Sequence, residues 1–195
     1  MQPARYIIPP ERHEAPRFVL RSFHPGDGAR VSEAKNASYD HLKTFMVWAT
    51  PNQSDEHAEQ YCREVRGRWL LSSDFAIGIW EPGEARLLGG CGYHLREGAL
   101  ELGNAEIGMW IRSDAAGHGL GTGVLRALLE WGFTEWPWVR LSWRCSSANR
   151  ASQRVAEKAG LRREGVLRSL AVDADGERRD TVCYAMLRDE WRSTA

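Results

Sequence analysis

Four glycines stand at alternate positions in one short stretch, Gly117, Gly119, Gly121 and Gly123 of "SDAAGHGLGTGVLRALLEWGF" (113–133). Glycine loses more conformational freedom on folding than any other residue. Four of them at the point where a helix is about to start imply that something comes close to this backbone. The run behind them sets Val124, Leu125, Leu128, Leu129 and Phe133 at helical spacing. The run ahead of them, "NAEIGMWIRS" (104–113), reads as a strand. Strand, glycine-rich turn and helix make a geometry for holding an anion. The first helical N–H groups have no partner in the helix, and the dipole favours negative charge there. Glycine lets the turn fold into a nest of N–H groups and lets phosphate oxygens approach with no Cβ in the way. The bland alternative is a flexible turn. The alternation and the position between strand and helix favour a phosphate-bearing ligand.

Two nucleotide readings fail on spacing. A P-loop needs G-x-x-x-x-G-K-[ST], and no lysine follows Gly117–Thr122. The dinucleotide pattern G-x-G-x-x-G would put its third glycine at Thr122 or at Val124.

The rest of the chain supplies the setting. "RFVLRSF" (17–23) alternates as a strand, and "HPGDG" breaks it. Residues 29–48 read as helical, with Asp40 as an N-cap for "HLKTFMVW". A second helix starts near Ser54, acidic in its first turn and basic later, as the dipole prefers. "DFAIGIW" (74–80) and "ARLLGGCGYHL" (85–95) flank the hairpin signal "EPGE". "VRLSWRC" (139–145) is a strand. "NRASQRVAEKAGL" is a helix with Asn149 near its start and Gly160 as its stop. The last segment is two strands around the Asp175-Gly176 turn. This order predicts an α/β (α+β) fold, a single domain with a mixed, mostly antiparallel central sheet of about seven strands flanked by helices. The Pro-rich, charged residues 1–16 read as a flexible N-terminal lead-in, and 17–195 as the domain.

Composition narrows the function. Of 195 residues, 43% are hydrophobic and 27% charged, the profile of a globular chain. Lys plus Arg equals Asp plus Glu at 26 each, which argues against a nucleic-acid or anionic-membrane coat. No apolar stretch approaches the ~20 residues that span a bilayer. With no hydrophobic signal core at the N-terminus, a cytoplasmic location is expected. The four cysteines and six histidines are scattered without ligand spacing, so no metal site is expected.

Several segments together resemble one family. "AAGHGLGTGV" is similar to the pyrophosphate loop of the GNAT N-acetyltransferases, [QR]-x-x-G-x-[GA], with Gly119 and Gly121 at the glycine positions and Ala116 where Gln or Arg is usual. "AEIGMWI" resembles the strand before that loop, and "NRASQRVAEKAGLRREG" the N-x-x-S segment with its G-[FL]-x-x-E-G tail. "GERRDTVCYAMLRDEW" resembles the closing strand of the branch that acetylates ribosomal-protein N-termini. The similarity runs in order from about residue 17 to 191.

The resemblance implies acyl-CoA held between splayed strands and a primary amine as acceptor, either a protein N-terminal α-amine or a small-molecule amine. Backbone groups of Trp110, Ile111 and Arg112 would pair with the pantetheine amides, and an N–H near Trp110 or Ile111 would polarise the thioester carbonyl. Gly117, His118, Gly119, Leu120, Gly121 and Thr122 would cradle the pyrophosphate. Asn149 would bond pantetheine, or cap its helix, or both. Ser152 would protonate the leaving thiolate. Glu106 is the candidate base, against a plain strand glutamate in an ion pair, and His94 is a second candidate. Acetyl-CoA is the expected co-substrate. A larger acyl group such as succinyl and a catalytically silent acyl-CoA-binding module are the alternatives. The branch also implies a homodimer. Trp131, Trp136, Trp138 and Trp143 read as core. Trp48, Trp69 and Trp80 could line the acceptor site, and Arg63, Arg66 and Arg68 could meet an acidic acceptor or simply face solvent.

Overall fold

Alternating β-rich runs pair into one sheet of eight strands in the computed structural model, which describes residues 6–173 and 175–192. The strands are β1 (Arg12–Ala15), β2 (Phe18–Ser22), β3 (Phe75–Trp80), β4 (Leu87–His94), β5 (Asn104–Ile111), β6 (Arg140–Ser146), β7 (Arg162–Val172) and β8 (Arg178–Leu187). Their spatial order is β1-β2-β3-β4-β5-β6-β8-β7. Every neighbouring pair is antiparallel except β5 and β6, which run parallel. The helix between those two is the required crossover. The helices are α1 (Gly28–Asn36), α2 (Tyr39–Leu42), α3 (Asp55–Leu70), α4 (Leu120–Thr134), α5 (Arg150–Lys158) and α6 (Arg188–Arg192). None of the described helices is long and apolar enough to cross a membrane.

The fold class is the expected one, and three local readings need correction. The lead-in expected over 1–16 contains β1, which pairs residue for residue with β2. Arg66 of α3 clamps Glu11 beside it with two N–H bonds of 2.9 Å. The sheet therefore gains an eighth strand. The helix expected over 29–48 breaks into α1 and the short α2, and residues 43–48 are not helical. Asp40 lies inside α2 instead of capping a helix, and binds Lys43. The starts expected near Ser54 and Asn149 hold, and both residues cap their helices. Ser54 Oγ accepts the His57 N–H at 3.2 Å, and Asn149 Oδ1 accepts the Ser152 N–H at 3.0 Å.

Two apolar cores sandwich the sheet. One lies under α4, where Val124, Leu125, Leu128 and Trp131 are fully buried against Ile77, Tyr93, Ile107 and Leu141. Each such side chain contributes about 1.5–3 kcal/mol of burial. Trp136, Trp138 and Trp143 join this core as expected, and so does Trp69. The other core lies under α1 and α3, with Val31, Ala34, Ala58, Cys62, Val65 and Trp80. Arg112 ties α1 to the turn before α4. Its guanidinium, 7% exposed, binds Glu33 of α1 and Asp114.

Candidate active site

The parallel pair is joined for only three residues. Asn104, Ala105 and Glu106 pair with Arg140, Leu141 and Ser142, although β5 runs on to Ile111 and β6 to Ser146. β5 then follows β4, and β6 follows β8. The sheet opens between them into a cleft of about 1210 Å³. On the α5 side it is walled by Trp143, Cys145, Asn149 and Ser152, and on the α1/α3 side by Lys35, Trp48, Tyr61, His94 and Trp110.

The backbone edge along the opening follows from register. The Arg112 N–H bonds Leu88 O at 2.8 Å. Antiparallel pairs alternate between bonded and non-bonded, so Trp110 and Gly108 also spend their backbone groups on β4. Met109 and Ile111 turn theirs toward β6, which has moved away. Of the three backbones expected to meet pantetheine, Ile111 faces the opening. Trp110 and Arg112 do not, and Arg112 O also accepts the Ala115 N–H at 3.1 Å. Sequence reading missed Met109, whose signal is the two-residue period of the edge.

The face toward α1 and α3 is kept low by glycine. Register pairs Gly90 with Trp110, Gly92 with Gly108 and His94 with Glu106. A Cβ at Gly90 would stand 2.5 Å from Trp110 Nε1, and one at Gly108 would stand 2.8 Å from His94 Nε2. Both rings therefore lie flat on the sheet and leave the cleft open above them. Trp48 meets Trp110 edge to face at 6.1 Å, so Trp48 lines the cleft while Trp80 is core. Lys35 sits 4.2 Å from the Tyr61 ring centroid and 5.2 Å from that of Trp48. Burial holds the Lys35 ammonium below the ordinary lysine range. Arg68 lines the cleft, whereas Arg63 pairs with Glu59 and Arg66 with Glu11.

Glu106 is buried, 6% exposed at its side chain, and two guanidiniums flank its carboxylate. Arg96 binds one oxygen, and Arg144 approaches the other at 3.5 Å. The ion-pair alternative describes it. Ser152 Oγ accepts the Trp143 Nε1–H at 3.1 Å. That bond occupies an oxygen lone pair and directs the hydroxyl proton toward the Cys145 sulfur on the cleft wall. Burial pushes the neighbouring Cys145 thiol up, so it stays neutral. Asn149 caps α5 through its oxygen, which leaves its amide N–H groups for the cleft.

The glycine turn stands beside the cleft and is not part of its wall. A Cβ at Gly121 would touch Val155, Ile111 and Met109 at 3.6–3.9 Å, which places the start of α4 against the open edge of β5. Gly117 (φ +84°) and Gly119 (φ +79°) have left-handed backbones, and nothing lies within 4 Å of a Cβ built on either. Unlike α3 and α5, α4 has no side-chain cap. The N–H groups of Leu120, Gly121 and Thr122 are thus orphaned at a positive helix end. The Leu120 side chain is buried, so only its N–H is available. His118 contributes its carbonyl, which accepts both terminal N–H groups of Arg17 at 3.3 Å. Arg17 was not visible as a loop residue in the sequence, since it lies 101 positions away. The backbone fits an anionic pyrophosphate, and Arg17 sets a cation beside it where Ala116 offers none.

A mixed sheet that opens beside an uncapped, glycine-led helix defines the class of acyl-CoA-dependent transferases. The chain belongs to the GNAT acetyltransferase family: the sequence profile described as "Acetyltransferase (GNAT) domain" matches residues 17–162. A Bacillus subtilis (strain 168) protein named "Putative ribosomal N-acetyltransferase YdaF" is 26% identical over 176 residues, 89% of this chain and 93% of the relative. The crystal structure of a GNAT-family acetyltransferase from Bacillus anthracis superposes with a TM-score of 0.76 at 24% identity, covering 92% of this chain and 99% of that one. RimL, a ribosomal-protein α-N-acetyltransferase solved with coenzyme A, superposes with a TM-score of 0.80 at 18% identity, covering 90% and 97%.

Proposed function

We propose that this protein transfers an acetyl group from acetyl-CoA to a primary amine by direct attack in a ternary complex. The observation that carries the reading is the opening between β5 and β6, because it lets two substrates meet through the sheet. Acetyl-CoA enters from the α4/α5 side. Its pyrophosphate rests on the N–H groups of residues 117–122 with Arg17 alongside, and pantetheine runs along Met109 and Ile111. One of those two N–H groups polarises the thioester carbonyl. Asn149 bonds pantetheine, and Ser152, oriented by Trp143, gives its proton to the departing sulfur. The amine enters from the α1/α3 side between Trp48, Tyr61 and Trp110. The names of YdaF and RimL support a protein α-amine as acceptor. The same reading carries a transferase domain over 17–195 with β1 added at its edge, a cytoplasmic location and a homodimer. A monomeric mass in solution removes the last.

The test is calorimetric titration with CoA, acetyl-CoA, succinyl-CoA and NAD, beside a Gly119→Trp control. Micromolar affinity for acetyl-CoA that the control loses supports the reading. A preference for succinyl-CoA changes the donor, and no CoA binding defeats it.

A further inference from the structure

The acceptor side of the cleft holds a histidine–carboxylate pair. Asp74 stands just before β3 and His94 ends β4, and His94 Nδ1 lies 2.7 Å from Asp74 Oδ1. Both side chains are about one-fifth exposed and both line the cleft. An imidazole whose Nδ1–H is held by a carboxylate presents a lone pair on Nε2. That nitrogen lies over Gly108, 2.8 Å from where a Cβ would be. Gly108 is two residues past the last paired residue of β5, so Nε2 stands at the lip of the opening. Glu106, the cross-strand neighbour of His94, has an arginine against each oxygen. Among the described residues, Asp74 is the ion-pair partner of His94.

We propose that His94 Nε2 is the base that takes the proton from the acceptor amine, with Asp74 as the positioning residue. The inference rests on the acyl-transfer reading above. The ammonium of the acceptor gives one proton to Nε2. The freed nitrogen lone pair attacks the thioester carbonyl carbon, a C–N bond forms, and the π electrons move onto oxygen. As the C=O re-forms, the C–S bond breaks. The thiolate takes the Ser152 hydroxyl proton, and Ser152 is reprotonated by the second proton of the new amide nitrogen. His94 then releases its proton to solvent through the cleft. The charged groups that line the cleft with it are Lys35 from α1, Glu64 and Arg68 from α3, Asp74 before β3, Arg96 after β4, Glu106 from β5, Arg144 from β6 and Asp175 of the β7–β8 turn. Asp173 and Arg179 of the β7–β8 hairpin also face the cleft and pair with each other.

The experiment compares wild type, His94→Asn, Asp74→Asn and Glu106→Gln. Asn at 94 keeps a donor for Asp74 and removes Nε2. Thiol release from acetyl-CoA is followed against pH with free-α-amine peptides beginning Ala or Ser as probes, and acetyl-CoA binding is measured by calorimetry. The expected result is a loss of about 100-fold or more in kcat for His94→Asn, with acetyl-CoA affinity retained and the acid limb of the pH–rate profile gone. Asp74→Asn moves that limb, and Glu106→Gln leaves it in place whatever its effect on turnover. A His94→Asn enzyme with near-normal kcat and an unchanged limb overturns the proposal. A limb that vanishes only in Glu106→Gln does so too. If the wild type binds no acetyl-CoA, the acyl-transfer reading is what fails, and if it binds acetyl-CoA but turns over no probe, the peptide acceptor is what fails. The pair is then judged by long-range 1H–15N spectra, in which an Nε2-protonated neutral His94 overturns it.

Discussion

Alanine at Gly119 and alanine at Gly121 should move stability in opposite directions and ligand affinity in the same one. Gly119 is left-handed, and a Cβ there meets nothing, so the whole cost of Ala is backbone strain. That strain is about 1–2 kcal/mol. Gly121 lies in the first turn of α4, and its added Cβ makes only ordinary contacts at 3.6–3.9 Å. Ala there gains up to about 1 kcal/mol of helix propensity. Each kcal/mol moves the midpoint of a chain this size by about 2–4 °C. Thermal unfolding should therefore show Gly119→Ala melting below wild type and Gly121→Ala at or above it. A methyl at Gly119 enters the open space over the N–H cradle, and one at Gly121 enters the gap beside Met109 and Ile111 where pantetheine runs, so both should weaken acetyl-CoA by about tenfold or more, which is ~1.4 kcal/mol. A Gly121→Ala protein that is more stable and binds acetyl-CoA with wild-type affinity would refute the claim that glycine is there for the ligand.

Ser152→Ala should lower kcat about 10–100-fold with little change in acetyl-CoA affinity, and Trp143→Phe should lower it less, because only orientation is lost; if affinity falls while saturated turnover holds, Ser152 is a ligand and not an acid. Arg17→Ala should weaken acetyl-CoA by several-fold and flatten the salt dependence of binding in calorimetry. Burial pushes the Asp27 carboxyl up, but Arg21 at 2.7 and 3.0 Å and the His24 N–H at 2.8 Å outweigh it and hold it below the usual carboxylate range. Its stabilisation is present above that usual range and is lost as pH falls through the depressed one. Denaturant titrations at stepped acid pH should show a shallower loss of stability in Asp27→Asn than in wild type. Deleting residues 1–16 removes β1 and the Glu11–Arg66 clamp, and should lower the melting midpoint by several degrees.

The elements around the site were legible because their signals are local. The Val124–Phe133 periodicity, the acidic-to-basic order after Ser54, the Asn149 cap and the Asp175-Gly176 turn each act over a few residues, and each gave the right helix or hairpin. The helical reading of 29–48 misled because the cap signal at Asp40 lies inside α2, whose cap position is Ser38, and because α1 stops where its buried face against α3 ends. β1 was hidden because four residues carry no periodicity, and its strand state comes entirely from pairing with β2.

By itself the sequence determined the α/β order, the glycine turn and the Asn149–Ser152 spacing, since backbone propensity and side-chain period are written within one segment. Which atoms face which was decided only by tertiary structure. The ladder to β4 gave the open backbone edge to Met109 and Ile111 and took it from Trp110 and Arg112. Arg96 and Arg144 closed on Glu106, while Asp74 met His94 from 20 positions away. Those are contacts between separate elements, and their geometry exists only once the sheet has fixed its register.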